Sequence, residues 1–304
     1  MLASRREVLR AGVAATALAL LPRTSTAVAA PFTKRIPATG EAMPVIGLGS
    51  WITFNVGEDP VLRDECAAVM AAYFEEGGGM IDCSPMYGSS QATIGYGLRK
   101  LGYPRALFSA EKVWTSSAAN GPRQIEETRA YWGVERFDLL QVHNLVAWER
   151  HLETLFAMKA EGRLRYVGIT TSEGRRHGEI EKIMQTQSID FVQVTYNLLD
   201  REVEERILPL ALERDIAVIA NRPFRRGALL RELEGSPLPP WAAEAGASSW
   251  PQFALKFIVS HPAVTCAIPA TTRVDHLREN MAAASDVMPD EDLRRRMVDY
   301  LRQM

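Results

Sequence analysis

Residues 137–143 read Phe137-Asp138-Leu139-Leu140-Gln141-Val142-His143, a β-rich run that ends in a histidine. Its centre lacks the apolar/polar alternation of a half-exposed strand, as expected of a parallel strand covered on both faces. Working outward, similar runs recur at 45–51, 80–83, 107–113, 166–170, 191–195, 217–220 and 264–268. Amphipathic helical patterns fill the intervals near 61–76, 90–101, 122–132, 149–161, 176–187, 202–214, 250–260 and 273–285. Helix breakers fall at the right places: Gly77-Gly78-Gly79 ends the first pattern and Gly162 the fourth. About eight β/α pairs in roughly 250 residues predict an α/β fold of the (β/α)8 TIM-barrel kind. A doubly wound sheet would carry a G-x-G-x-x-G turn after its first strand. Here Gly47-Leu48-Gly49 runs into Trp51 and Ile52, with no third glycine at that spacing. The connection 225–249 is long and proline-rich, a length that is usually functional or mobile. The tail from Pro289 reads as a closing helix with Leu293, Met297, Val298 and Leu301 on one side.

Composition narrows the class. The chain has 304 residues, 47% of them hydrophobic and 24% charged, which excludes a disordered or collagen-like polymer. At this size roughly 75% of the extended surface is buried on folding, so the core needs no metal or disulfide support. A formal net charge of −2 leaves no electrostatic footprint for nucleic acid. Three scattered cysteines, Cys66, Cys83 and Cys266, make neither a disulfide scaffold nor a zinc site, and no metal is expected.

The first 29 residues read as a separate object. Arg5-Arg6 precedes the apolar run 11–21, and Ala27-Val28-Ala29 offers a cleavage site. That run is shorter than the ~20 residues needed to span a bilayer, so no stable membrane span is expected. It is apolar all round, unlike an amphipathic helix of a fold. The expectation is a cleaved twin-arginine signal peptide over 1–29, recognised by the twin-arginine export machinery and delivering 30–304 to the periplasm.

In a barrel of this kind the C-terminal strand ends carry the active site. Those ends supply Asp82, Lys112 and His143, with Tyr87 in the loop just beyond Asp82. Lys112 sits in an apolar strand, where alternation can turn it inward, and a buried ammonium requires a carboxylate. Asp82 on the adjacent strand is the natural partner. A tyrosine with an ordinary pKa of about 10 is a poor acid–base near neutrality unless a cation stabilises its phenolate. Lys112 is expected to lower that value, while neutral His143 orients a substrate carbonyl. No side chain delivers hydride, so the electrons come from a cofactor.

These residues and their surroundings resemble the aldo-keto reductase superfamily over nearly all of 36–285. The pieces are 80–88 (Met80-Ile81-Asp82-Cys83-Ser84-Pro85-Met86-Tyr87-Gly88), Glu111-Lys112-Val113-Trp114, Leu140-Gln141-Val142-His143-Asn144, and 191–197 around Gln193. A C-terminal piece runs from Ile268-Pro269-Ala270-Thr271-Thr272-Arg273 to Glu279-Asn280. The resemblance implies NAD(P)H-dependent reduction of aldehydes or ketones, with Tyr87 as proton donor and Asp82, Lys112 and His143 as its partners. It also leaves open a nucleotide-binding regulatory role without catalysis, like that of the potassium-channel β-subunits.

Cofactor positions carried over from the family depart from its pattern at several points. Thr170-Thr171 stands where Ser-Asn often holds the nicotinamide amide, and Gln193 matches its usual residue. Asn221-Arg222-Pro223 replaces a Tyr-Ser-Pro-like segment, removing a stacking ring and offering Arg222 to the pyrophosphate. Thr271 and His276 replace residues of the 2′-phosphate site, Arg273 can still reach a phosphate, and Glu279 and Asn280 match adenine-binding residues. NADP is the implied cofactor, with NAD the alternative. Loops around Trp51, Phe54, Met86, Trp114 and Trp148 are expected to wall a pocket for an apolar or aromatic small-molecule carbonyl substrate.

Overall fold

In the computed structural model, which describes residues 30–304, the eight expected runs form one parallel sheet. The expected export segment, 1–29, lies outside the described residues. A short antiparallel hairpin comes first, β1 (Thr33–Arg35) and β2 (Ala42–Pro44). The sheet then takes β3 (Leu48–Gly49), β4 (Met80–Asp82), β5 (Phe108–Val113), β6 (Phe137–His143), β7 (Leu164–Thr170), β8 (Phe191–Thr195), β9 (Ala217–Asn221) and β10 (Val264–Ala267), paired in chain order. Parallel bridges Ile46–Ala267 and Gly49–Ala270 join its two edges and close the barrel. A glycine is required at this seam, because a Cβ on Gly49 would stand 2.8 Å from the Ile268 carbonyl oxygen.

Helices cover the outside: α1 (Pro60–Glu75), α2 (Ser90–Leu101), α3 (Gly121–Trp132), α4 (Trp148–Ala160), α5 (His177–Thr186), α6 (Ile207–Glu213), α7 (Ala228–Glu232), α8 (Trp250–Ser260), α9 (Val274–Met281) and α10 (Glu291–Arg302). Two hydrophobic layers follow from strand alternation. Outward residues such as Ile81, Val113, Val142 and Val192 pack beneath the helices. Inward residues Met80, Phe108, Leu139, Tyr166 and Phe191 fill the barrel. The same inward register continues along β5 to Lys112 and along β6 to His143, so the packed interior ends in polar groups at the C-terminal mouth.

The hairpin closes the other end, with Ile36 and Met43 buried in the interior layer. Glu41 accepts from Tyr166 Oη at 2.7 Å and pairs with Arg165. Three-residue strands are too short to stand out as a pattern in the sequence. The long connection is ordered: it contains α7 and buries Leu229, Leu233, Ala242 and Ala245 in the core. Along α10, Met297 and Val298 are buried as expected, and Arg294 joins them. Its guanidinium donates to Tyr196 Oη at 2.5 Å and lies 4.4 Å from the Phe257 ring centroid. All three cysteines are buried free thiols. Among the described residues no helix is long and apolar enough to cross a membrane.

Candidate active site

Asp82 ends β4 and Lys112 lies near the end of neighbouring β5, both on the inner face. Lys112 Nζ stands 2.6 Å from Asp82 Oδ2 and donates to the Cys83 carbonyl, also at 2.6 Å. Gln193 on β8 reaches the other carboxylate oxygen, donating to Asp82 Oδ1 at 2.8 Å. Thr170 donates to Gln193 Oε1 at 3.0 Å. The carboxylate is therefore held from two sides of the barrel. Burial works against the Lys112 ammonium, but Asp82, Tyr87 and Glu111 outweigh it and raise its pKa above the free-lysine value.

Tyr87 ends a single helical turn, Pro85–Tyr87, started by Ser84, whose Oγ accepts from Met86 N at 3.1 Å. The Lys112 ammonium lies 5.3 Å from the Tyr87 ring centroid. The His143 ring meets Tyr87 edge-on at 5.8 Å, and Trp114 is 6.5 Å from His143 on another side. His143 Nδ1 and Ser84 Oγ share a 2.6 Å hydrogen bond. Burial, helped by the charges of Lys112 and Arg175, pushes the imidazole pKa down to about 3, so the ring is neutral. The phenol departs from expectation. Burial lifts it above its ordinary value of 10, and Lys112 offsets only part of that rise. Desolvating a phenolate costs more here than one ammonium returns, because Asp82 already engages that ammonium.

A cavity of about 480 Å³ opens over this group and is lined by Asp82, Tyr87 and His143, with Lys112 fully buried behind them. Thr170, Thr171, Gln193, Asn221, Arg222, Pro223, Thr271, Glu279 and Asn280 also line it. Arg273 does not: its guanidinium is turned to Asp275, with Nε 2.9 Å from Oδ1. Asn221 is locked between Thr195 Oγ1 at 2.7 Å and the Thr171 carbonyl at 2.9 Å. Thr171 Oγ1 and Arg222 Nε are buried without a hydrogen-bond partner. Two orphaned polar atoms on residues that line the cavity suit a polar ligand that would satisfy them. A nicotinamide nucleotide, with its amide and phosphates, fits that donor set.

The pocket wall is partly different from the expected one. Trp51 and Met86 line the cavity. Trp114 is not among the cavity-lining residues: it is exposed, with its ring 6.5 Å from that of His143. Phe54 is fully buried in the outer hydrophobic layer, because its loop folds back onto α1 and the strands. Trp148 is likewise turned away, donating its Nε1 to Glu179 at 2.7 Å. Ser84, Asn144, Arg175 and Arg226 belong to the site and were not singled out from the sequence. Ser84 and Asn144 stood in the family-like pieces without an assigned role, and the two arginines lie in loops where charged residues are ordinarily solvated. Glu111 sits on the opposite face of β5 from Lys112, accepting from Trp132 Nε1 at 2.9 Å and from the Lys112 amide at 2.9 Å. Burial pushes its carboxyl up to about 7.

Comparison with known proteins agrees with this architecture. Methylglyoxal reductase YeaE of Escherichia coli is 26% identical over 255 residues, covering 82% of this chain and 88% of that protein. The NADH-specific methylglyoxal reductase of Escherichia coli is 24% identical and is covered along 100% of its length, against 89% of this chain. A crystal structure of an aldo-keto reductase from Klebsiella pneumoniae in complex with NADPH superposes with a TM-score of 0.74 at 24% identity, covering 89% of this chain and 95% of that one. Residues 45–296 match the Aldo/keto reductase family. With its parallel barrel and a Tyr87–Lys112–Asp82–His143 cluster at the strand ends, the chain belongs to the aldo/keto reductase family.

Proposed function

We infer that the protein is an NAD(P)H-dependent oxidoreductase that reduces aldehydes or ketones to alcohols, with Tyr87 supplying the proton. The observation that carries this reading is the buried 2.6 Å Lys112–Asp82 pair placed directly behind a tyrosine and a neutral histidine in one cavity. The nicotinamide nucleotide, NADP by family pattern with NAD the alternative, supplies the hydride when bound. Thr171, Asn221 and Arg222 would hold its nicotinamide and pyrophosphate portions, and Thr271, Glu279 and Asn280 its adenosine end.

The chain's own groups handle the proton. In this reading the Ser84 hydroxyl is assigned as donor to His143 Nδ1, the tautomer that puts the imidazole hydrogen on Nε2. That N–H orients the carbonyl oxygen toward the Tyr87 hydroxyl. Tyr87 gives its proton to that oxygen as negative charge develops there, and the Lys112 ammonium stabilises the resulting phenolate. Asp82, fixed by Gln193, keeps the ammonium charged and in place. Trp51, Met86 and Trp114 present apolar surface to the rest of the substrate.

We propose further that residues 1–29 act as a cleaved twin-arginine signal and that 30–304 work in the periplasm, a reading supported by Arg5-Arg6 and the short apolar run that follows. The enzymatic reading is tested by loss of NADPH or NADH absorbance when purified protein meets a panel of aldehydes. Turnover with neither nucleotide, despite measurable nucleotide binding, would instead favour the regulatory role.

A further inference from the structure

The cavity wall carries a cluster of three arginines, of which Arg222 is already assigned to the nucleotide. Arg175, Arg222 and Arg226 all line the cavity, and a single carboxylate, Glu173, pairs with the three of them. The sharing is unequal. Glu173 Oε1 is taken by Arg222 and by Arg226, the latter at 2.9 Å. Arg226 is also laid over the Trp51 ring at 4.2 Å, which draws it and Arg222 to the β3–β9 side of the mouth. Arg175 is left with the more distant contact, 3.7 Å to Glu173 Oε2, and remains more than half exposed.

Arg175 is nevertheless held in position. Its Nε donates to the Ser172 carbonyl and its terminal nitrogen to Ser172 Oγ, both at 3.0 Å. Its charge is one of the causes that keep His143 neutral, so the guanidinium stands within electrostatic reach of the imidazole. The same cavity offers apolar surface from Met86 and Ile52, 44% and 61% exposed, and Trp114, 39% exposed, stands outside its lining with its ring 6.5 Å from that of His143. Ile52 is exposed with φ 66°, a left-handed conformation unfavourable for a β-branched residue. A neutral apolar substrate has no use for a braced cation in the wall of the cavity. A carboxylate does, because guanidinium and carboxylate match as planar, two-point partners.

We propose that Arg175 anchors the carboxylate of the substrate, so that the preferred compounds are aldehydes or ketones carrying an acid group on an apolar or aromatic body. The carbonyl lies against Tyr87 and His143, the body lies on Met86 and Trp114, and the acid group faces Arg175. The proposal rests on the carbonyl-reductase reading above and names its substrate class.

The test compares kcat/KM for 4-carboxybenzaldehyde with that for benzaldehyde, at saturating NADPH, as a ratio. Wild type should give a ratio above one. Arg175→Gln should lower it by about tenfold, the order expected for loss of one charge-assisted, partly exposed pair, and Arg175→Lys should retain part of it. A wild-type ratio of one or less overturns the proposal without any variant. So does an Arg175→Gln protein in which both substrates change by the same factor, the result expected if Arg175 serves the nucleotide phosphates. Reduction of neither aldehyde removes the carbonyl-reductase reading and this proposal with it, whereas reduction of both at a ratio of one removes only the proposal.

Discussion

Lys112 and Asp82 face each other at 2.6 Å on adjacent strands, with their side chains 0% and 2% exposed. Breaking such a buried pair by removing one partner typically costs about 3–5 kcal/mol, because the other charge is stranded. Lys112→Met should therefore lose stability of that order in urea unfolding, together with activity. Adding Asp82→Asn to it removes the stranded charge and should recover most of the stability while turnover stays as low as in the single variant. A double variant as unstable as the single one would show that the pair is held by something other than charge compensation.

Removing the phenol tests the proton donor. Tyr87→Phe should lower kcat by about 10²–10⁴-fold, the usual worth of a general acid. Nucleotide affinity, measured by fluorescence titration, should change little, since the hydroxyl is assigned to the substrate. Reduction requires the protonated phenol, and burial raises its pKa, so the wild-type rate should hold until above the ordinary value of 10. Lys112 pulls that pKa down, so residual activity of Lys112→Met should persist to still higher pH. An alkaline limb well below 10 in wild type would contradict the assignment.

His143 should stay neutral through the working range. Its folded pKa of about 3 lies below the ordinary 6.5, so its contribution to stability is full above 6.5 and is lost as pH falls toward 3. At pH 5 that loss is about 2 kcal/mol, from 1.36 kcal/mol per unit of difference. NMR of the imidazole should show no titration between pH 5 and 9. A midpoint near 6.5 would mean that the ring is not desolvated as described.

Routing is tested by Arg5→Lys with Arg6→Lys. The double variant should leave precursor in the cytoplasm, read by fractionation and by the mass of the accumulated chain. Normal periplasmic accumulation of the mature form would refute the export proposal.

Much of this was legible in the residues themselves. Strand alternation could turn Lys112 inward, strand-end position picked out His143, and a buried lysine demanded a carboxylate, which named Asp82. The hairpin was not legible, since Lys34 and Met43 sit in strands of three residues that owe their form to the barrel end they close. Phe54 looked like a pocket residue because loops at that end carry the site, yet its loop turns it into the core. Arg273 carried the charge a phosphate needs, but Asp275, two residues on, takes it.

The sequence by itself determined the layer order, the barrel and the chemical types at its strand ends, because periodicity and helix breakers are local properties that survive in a one-dimensional string. Only the tertiary structure decided the balance of charges around the site. Whether a phenol is raised or lowered, or whether Arg175 is paired, depends on burial and on groups brought together from β4, β5, β8 and the loops beyond. Desolvation and Coulomb energy are set by distances through space, and residue spacing along the chain does not contain them.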